Sequence, residues 1–382
     1  MRPNDVHPRK FSPETVRRFR QRLERWYRRH HRTLPWRAAP GEPRTDAYRV
    51  LVSEAMLQQT QVATVIDYYR RFLDAFPTVA TLAAADEQQV LRLWQGLGYY
   101  RRARNLHAAA KAIVEQHASV LPADVAALRA LPGVGEYTAG AVASIAFDLR
   151  TPVVDGNVAR VLARVFAVDQ PVDAPATKKQ LWQLAEALVP EPESQRKGAR
   201  RPYGPADHNQ AVMELGALVC LPRNPQCLVC PLASICQAHQ AGRTHELPRK
   251  LDRKKPQAVE HHVLLCERRG KWLVEQRPDR GLWSKMWQFV TFEAPGTPAS
   301  AATDALAAQL QQHTGLTCDA LEEQERFIHQ TTHRTIQFVV HRVAGVAGRT
   351  KPGLRWATLA EVEKLAMSNP QRRLARGLGK KL

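Results

Sequence analysis

Two carboxylates and a knot of thiols are the side chains in this sequence best placed to do chemistry. Glu54 sits in Asp46-Ala-Tyr-Arg-Val-Leu-Val-Ser-Glu-Ala-Met-Leu57, among Leu51, Val52, Ala55, Met56 and Leu57. On a buried helical face a carboxyl loses the hydration that favours its charged form, which lifts its pKa toward the range of a proton donor. Periodicity alone leaves a second reading open, in which Glu54 faces solvent or pairs with Arg49. Asp155 begins Asp155-Gly-Asn157 ahead of the amphipathic run 158–166, the setting of a helix N-cap. A helix start favours the ionised carboxylate, so the two acids would hold different protonation states.

Between them runs Leu131-Pro-Gly133-Val-Gly135-Glu136-Tyr137-Thr138-Ala139, followed by an alanine-rich stretch to residue 147. Gly133 and Gly135 make a tight turn with exposed backbone N–H groups. A helix N-terminus behind such a turn takes a phosphate without any side chain reading it. With the Asp155 stretch this reads as a helix-hairpin-helix that grips a nucleic-acid backbone; the plainer alternative is a glycine turn between packing helices. A dinucleotide fold is disfavoured, because no third glycine completes the GxGxxG spacing and no β-run precedes it. Cys220-x6-Cys227-x2-Cys230-x5-Cys236 closes a compact loop stiffened by Pro222, Pro225 and Pro231. Four thiolates so spaced suit zinc or a [4Fe–4S] cube, and with a single close CxxC pair the cube is favoured. Its role would be structural, holding a loop that carries Arg223 against phosphate. Cys266 and Cys318 stand alone and read as small packed apolar groups.

The elements that position these groups follow from composition and period. A chain of 382 residues implies two domains, and 44% apolar residues can fill real cores. An excess of 56 Lys+Arg over 36 Asp+Glu gives a net charge of +20, which points to a polyanionic partner. No run approaches the ~20 apolar residues of a membrane span. The N-terminus lacks the apolar core of a secretory signal, so a cytosolic protein is expected, and six cysteines there do not suggest disulfides. Helical spacing predicts helices over 13–31, 46–57, 62–76, 87–94, 138–147, 158–166 and 208–219. Gln95-Gly-Leu-Gly-Tyr-Tyr100-Arg-Arg-Ala-Arg-Asn105 is a glycine turn that projects two aromatics beside basic groups. That pairing suits a wedge filling the space left by an extruded base, with one of the two rings expected in the core. Residues 190–206 read as a polar loop and 239–258 as a basic linker. Beyond it the period changes to strands at 259–266, 271–276, 287–292 and 334–342, with helices at 300–313 and 359–367.

Leu131-Pro-Gly-Val-Gly, Val154-Asp-Gly-Asn157 and the cysteine spacing together resemble the endonuclease III superfamily of DNA glycosylases. Ser53-Glu-Ala-Met-Leu-Gln-Gln-Thr-Gln-Val62, Gly96-Leu-Gly-Tyr-Tyr-Arg101 and Asn209-Gln-Ala-Val-Met-Glu-Leu-Gly-Ala217 narrow the resemblance to MutY-type adenine DNA glycosylases, over nearly the whole chain. The resemblance implies a mainly α-helical, two-lobed helix-hairpin-helix glycosylase domain with an iron–sulfur loop, plus a smaller α+β MutT (Nudix)-like domain. The expected organisation is a catalytic domain over 1–238, with the hairpin at about 122–147 and the iron–sulfur loop at 220–236. A linker over 239–258 and a recognition domain over 259–382 complete it. The implied partner is double-stranded DNA holding adenine opposite 8-oxoguanine or guanine, bound by a monomer.

Carried over by position, Glu54 and Asp155 match the family's catalytic acids, Tyr137 and Asn157 line the site, and Gln59 and Tyr100 match residues inserted into the duplex. Cys220, Cys227, Cys230 and Cys236 match the ligands of a [4Fe–4S] cluster. An N-glycosidic bond breaks through an oxocarbenium-like state that two carboxyls of separated pKa serve well. Relatives that also nick DNA place a lysine at position 137 to form a Schiff base; Tyr137 cannot, so a monofunctional enzyme is expected. The family's Phe-Ser-His loop finds its best match in Thr331-Thr332-His333, with Phe327-Ile328-His329 as an alternative register. A Mg²⁺-binding Nudix helix needs several carboxylates; residues 300–313 offer only Asp304, so this domain is expected to recognise and not hydrolyse. Two other readings are an oxidised-pyrimidine glycosylase/lyase, which Tyr137 disfavours, and a silent damage-binding protein, which retention of Glu54 and Asp155 disfavours.

Overall fold

The computed structural model describes residues 12–192, 202–252, 256–295 and 303–379. Residues 1–11, 193–201 of the basic loop, linker residues 253–255, residues 296–302, which include the start of an expected helix, and residues 380–382 lie outside the described residues. The helices are α1 (Pro13–His30), α2 (Ala47–Leu57), α3 (Val62–Ala75), α4 (Val79–Ala84), α5 (Glu87–Trp94), α6 (Arg101–Gln116), α7 (Val125–Ala130) and α8 (Glu136–Phe147). They continue with α9 (Gly156–Val165), α10 (Pro175–Leu188), α11 (Pro205–Leu218) and α12 (Gln237–Gln240). A strand-rich part follows: β1 (Gln257–Arg268), β2 (Lys271–Gln276), β3 (Trp287–Pro295), α13 (Thr303–Thr314), β4 (Leu316–Thr317), β5 (Ala320–Gln330), β6 (Arg334–Ala344), β7 (Ala347–Gly348), β8 (Leu354–Thr358), α14 (Leu359–Glu363) and α15 (Asn369–Gly379).

Two compact units result. One takes the described residues of Met1–Ala84 and Arg101–Asp252; the other takes those of Ala85–Tyr100 and Arg253–Leu382. The sequence placed 85–100 with the catalytic domain, whereas α5 and the glycine turn behind it group with the strand-rich part.

In the first unit, local signals start the helices and burial holds them. Ser12 caps α1 by accepting from the Thr15 N–H, Pro13 occupies its first turn, and Arg28, Arg29 and His30 fill its last. Phe19, Leu23, Trp26 and Tyr27 form its buried face, packed with Val161, Leu162, Leu181 and Leu215. Arg20 donates to the carbonyls of Ala187, Leu188 and Val189 and so closes the end of α10. Helices α2, α8 and α11 are buried on nearly every side; α2 and α8 are largely apolar all round, whereas α11 also buries Asp207, His208, Asn209 and Glu214. They pack as α2 on α8, α8 on α11 and α11 on α9. The functional side chains sit where these four meet.

The loop 220–236 packs on α9 through the buried Arg164. Its guanidinium donates to the carbonyls of Leu247, Leu221 and Pro222, with Nη1 3.4 Å from Cys220 Sγ. All four loop cysteines border one cavity walled by Val161, Leu215 and Leu232.

The second unit is built on a six-stranded sheet in the order β5-β6-β1-β3-β2-β8, antiparallel except for the β1–β6 pair. Alternation along β1 sends Val263 and Leu265 to one core, with Phe289, Phe338 and Leu374, and Leu264 and Cys266 to the other, with Val290 and Leu310. Helices therefore cover both faces. Cys266 is fully buried and Cys318 packs at the edge of the same cluster.

Replacing Arg164 by methionine leaves two carbonyls of the cysteine loop, Leu221 and Pro222, and that of Leu247 without their donor. The expected result is a loss of roughly 3 kcal/mol or more of stability, each unsatisfied buried acceptor costing about 1–3 kcal/mol, together with reduced bound iron. A melt and an iron assay check it, and an unchanged melt would show that the loop docks without Arg164.

Candidate active site

A cleft of about 890 Å³ opens in the first unit, and seven of the sequence-predicted residues line it: Glu54, Gln59, Gly133, Gly135, Tyr137, Asp155 and Asn157. Each arrives from a different device. Glu54 comes from α2, whose Asp46 cap accepts from the Arg49 N–H. Tyr137 is the second residue of α8, delivered by the turn in which Gly133 adopts φ +73°. Only glycine takes that conformation freely, and a Cβ at 133 would also run into the Asn105 side chain. Asp155 is the N-cap of α9, as its spacing implied.

Glu54 is buried and its carboxylate accepts a 2.7 Å hydrogen bond from Tyr137 OH. Burial pushes its pKa up from 4.5 to about 7; Tyr137 and Arg37 pull it down, and the negative charge of Asp155 adds to the rise. The solvent-facing alternative for Glu54 does not hold. The Tyr137 hydroxyl is itself held well above the usual phenol range, first by burial and then by Glu54 and Asp155, so it remains a donor.

Asp155 accepts from Val158 N–H at 2.7 Å and from Asn157 Nδ2 at 2.8 Å. Burial raises its pKa above the ordinary value, opposed by those two donors and by Arg160. Asn157 is fixed in turn by Arg160 Nη2 on its Oδ1 at 2.8 Å, and Arg160 Nε donates to the Cys220 carbonyl at 2.6 Å. A continuous line of hydrogen bonds therefore runs from Asp155 to the cysteine loop. Gly216 of α11 lets this line pack: a Cβ there would stand 2.7 Å from Asn157 Cβ.

Sequence reasoning gave no role to a second cluster in the cleft. Glu214, fully buried on α11, accepts from Arg32 N, Nε and Nη2 at 2.9, 2.7 and 2.8 Å and pairs with Arg37 Nη1 at 2.9 Å. Burial alone would raise the Glu214 carboxyl, but the two arginines outweigh it and hold it below its usual range. The available signal was a charged residue inside the apolar run Val212-Met-Glu-Leu215 and the arginines flanking Leu34-Pro-Trp36. No lysine lines the cleft among the described residues.

The remaining predicted residues lie elsewhere. Tyr100 is buried, with its hydroxyl 3.4 Å from the Gly96 nitrogen and 3.5 Å from the Met367 carbonyl. Its expected insertion into a duplex is corrected accordingly: a ring held in a core cannot serve as a wedge. Tyr99, next to it, is 47% exposed at φ +49°. Thr332 and His333 occupy the hairpin between β5 and β6, closed by Thr331 N–H on the Arg334 carbonyl. Thr332 Oγ1 lies 3.0 Å from Tyr99 OH. The alternative register is embedded in β5, where the Phe327 ring stacks on Phe338 at 4.9 Å.

A buried carboxyl poised near neutrality, an anion at a helix cap and a glycine turn feeding a helix are the parts of a helix-hairpin-helix base-excision enzyme. The family model for the HhH-GPD superfamily base excision DNA repair proteins matches residues 52–187, that for the iron–sulfur binding domain of endonuclease III matches 220–236, and that for the NUDIX domain matches 261–377. The rat adenine DNA glycosylase is 38% identical, with 94% of this chain and 78% of the relative aligned. The human one is 37% identical over 94% and 74%, and that of Schizosaccharomyces pombe 31% over 95% and 89%. Among solved structures a thermostable thymine-DNA glycosylase aligns with a TM-score of 0.51 at 26% identity, covering 60% of this chain and 98% of that one. The chain belongs to the adenine DNA glycosylase family, whose members remove adenine from mispairs in base excision repair. It carries the 4Fe–4S motif of endonuclease III. No helix among the described residues is long and apolar enough to cross a membrane.

Two outcomes follow from the acids. The single-turnover excision rate should fall as pH rises through about 7, where Glu54 loses its proton, and Tyr137→Phe should move that limb to higher pH because the lost hydrogen bond favoured the carboxylate. A limb that stays put or moves down contradicts the geometry. The folded-state pKa of Glu54 is raised, so its burial costs stability increasingly as pH climbs from about 4.5 to 7. Glu54→Gln should therefore melt at a higher temperature than the parent at pH 8, with the gain vanishing near pH 4.

Proposed function

We propose that this chain hydrolytically removes adenine opposite 8-oxoguanine, or opposite guanine, and leaves an abasic site without cutting the strand. The observation that carries the reading is the Glu54 carboxyl, raised to about 7 and hydrogen-bonded to Tyr137 in the cleft that also holds Asp155. The protonated Glu54 donates to adenine N7, which makes the base a better leaving group. As the glycosidic bond lengthens, positive charge grows on the sugar and Asp155 stabilises it. An anion that burial leaves under-compensated in the free enzyme gains most from that charge, so the interaction is stronger in the transition state than before it. Glu54, now a carboxylate, takes a proton from the attacking water. Tyr137 and Asn157 hold the two acids in place and supply no nucleophilic amine.

The base reaches the cleft only by leaving the stack, since its reacting bond is inaccessible within the duplex. Backbone N–H groups at Gly133 and Gly135 grip a phosphate while this happens. Gln59 enters the helix beside the vacated position, and of the two aromatics in the glycine turn Tyr99 is the one exposed to a duplex. Arg37 Nε, buried and without a hydrogen-bond partner among the described residues, is available to an acceptor on the adenine edge, with Glu214 fixing it. Thr332 and His333 at the hairpin tip face the 8-oxoguanine. The [4Fe–4S] cluster, held by Cys220, Cys227, Cys230 and Cys236, keeps the loop folded when bound, and Arg223 there meets phosphate. The domains divide the work as catalysis over 1–238 and lesion recognition over 259–382, joined by 239–258, and the setting is the cytosol.

Iron-loaded protein mixed with an 8-oxoguanine:adenine duplex should release free adenine in a single turnover. Glu54→Gln should slow this by at least 10²-fold, the scale of general acid–base catalysis. Borohydride should trap no covalent adduct; a trapped adduct with strand scission would overturn the monofunctional reading.

A further inference from the structure

Arg102, in the first turn of α6, is buried, and its guanidinium donates repeatedly to one short stretch of chain. Nη1 donates to the carbonyls of Ala55 at 3.0 Å, Met56 at 2.8 Å and Gln58 at 2.5 Å, and Nη2 donates to Thr60 Oγ1 at 3.1 Å. These acceptors are the last turn of α2 and the bend behind it. Carbonyls at a helix C-terminus lack partners within the helix and carry partial negative charge, so a buried cation is their complement. The bend is strained: Gln59 adopts φ +57°, the left-handed region that a residue with a Cβ enters only when its surroundings over-determine it. Gln59 is exposed at the cleft.

We propose that Arg102 is a positioning residue for excision, locking the 58–60 bend so that Gln59 meets the duplex already in its inserting conformation. This rests on the reading above that Gln59 enters the helix beside the extruded adenine. Ordering the bend before the encounter removes a conformational cost that would otherwise oppose extrusion. Arg102 does not act by tuning the acid: the charges that shift Glu54 are Asp155 and Arg37. The pH at which the rate falls should therefore stay where it is when Arg102 is replaced.

The test is a double-mutant cycle on the full-length, iron-loaded protein with Arg102→Met, Gln59→Ala and the pair. Two quantities are read: the single-turnover rate on an 8-oxoguanine:adenine duplex, and the fluorescence rise of a 2-aminopurine placed beside the target adenine, which reports unstacking. Each single change should slow excision on the order of tenfold, the loss expected when a left-handed residue is no longer held, and should shrink the fluorescence rise. The double variant should be no slower than the slower single, since both changes disable one device. Additive losses, about a hundredfold in the pair, or a parental rate in Arg102→Met, would overturn the proposal. Should Arg102→Met fail to give a cooperative melt, Arg102→Lys, which keeps the charge and fewer donors, carries the same cycle. If Gln59→Ala changes neither readout, the insertion reading fails and the positioning role falls with it.

Discussion

The 2.7 Å hydrogen bond from Tyr137 to Glu54 joins α8 to α2 at the wall of the cleft, where the Glu54 carboxyl is buried and Tyr137 is half-buried. Its existence constrains everything around it. The Tyr137 hydroxyl must remain a donor, and burial ensures this by holding it far above neutrality. For Glu54 to serve as the proposed acid it must be protonable near pH 7, and burial raises it to about that value while the tyrosine keeps the rise in bounds. A stronger donor would hold the carboxylate charged and inert as an acid; no donor would leave a buried acid without orientation. Three helices buried on nearly all sides, α2, α8 and α11, are the structural requirement for that contact.

Around it the chain uses backbone and arginine where a smaller protein would use packing alone. Arg160 reaches from the Cys220 carbonyl to Asn157, so the conformation of the cysteine loop and the orientation of Asp155 are mechanically connected. Arg164 closes the loop itself, and Arg20 closes α10. Several arginines behind the +20 charge are therefore not free to meet a polyanion. The excess that remains on the surface suits a duplex.

Much of this was legible in the sequence, because the informative residues carry strong local rules. A proline-glycine turn before an alanine run, an aspartate ahead of an amphipathic stretch and four spaced cysteines each admit few structures. Glu54 was legible only with its neighbours, since period alone could not tell a buried acid from a surface one. Glu214 escaped notice because its meaning depends on Arg32 and Arg37, about 180 residues away in sequence. Tyr99 and Tyr100 exchanged places for a subtler reason: two adjacent aromatics look alike in a motif, and only the left-handed backbone at Tyr99 decides which ring turns outward. β5 was missed because Ala320–Gln330 is an acidic edge strand with an almost fully exposed pattern, which erases the alternation that marks a strand. The segment 85–100 reads as part of the helical domain by position and by motif, yet it groups with the sheet.

Isotope-edited infrared difference spectroscopy of the parent against Glu54→Gln gives the most direct view of the central claim, because it observes the acid and not its consequences. A protonated carboxylic C=O band assigned to Glu54 should be present at pH 6 and titrate away with a midpoint near 7. A carboxylate signature already complete at pH 6, with a midpoint near the ordinary value of 4.5, would contradict the account.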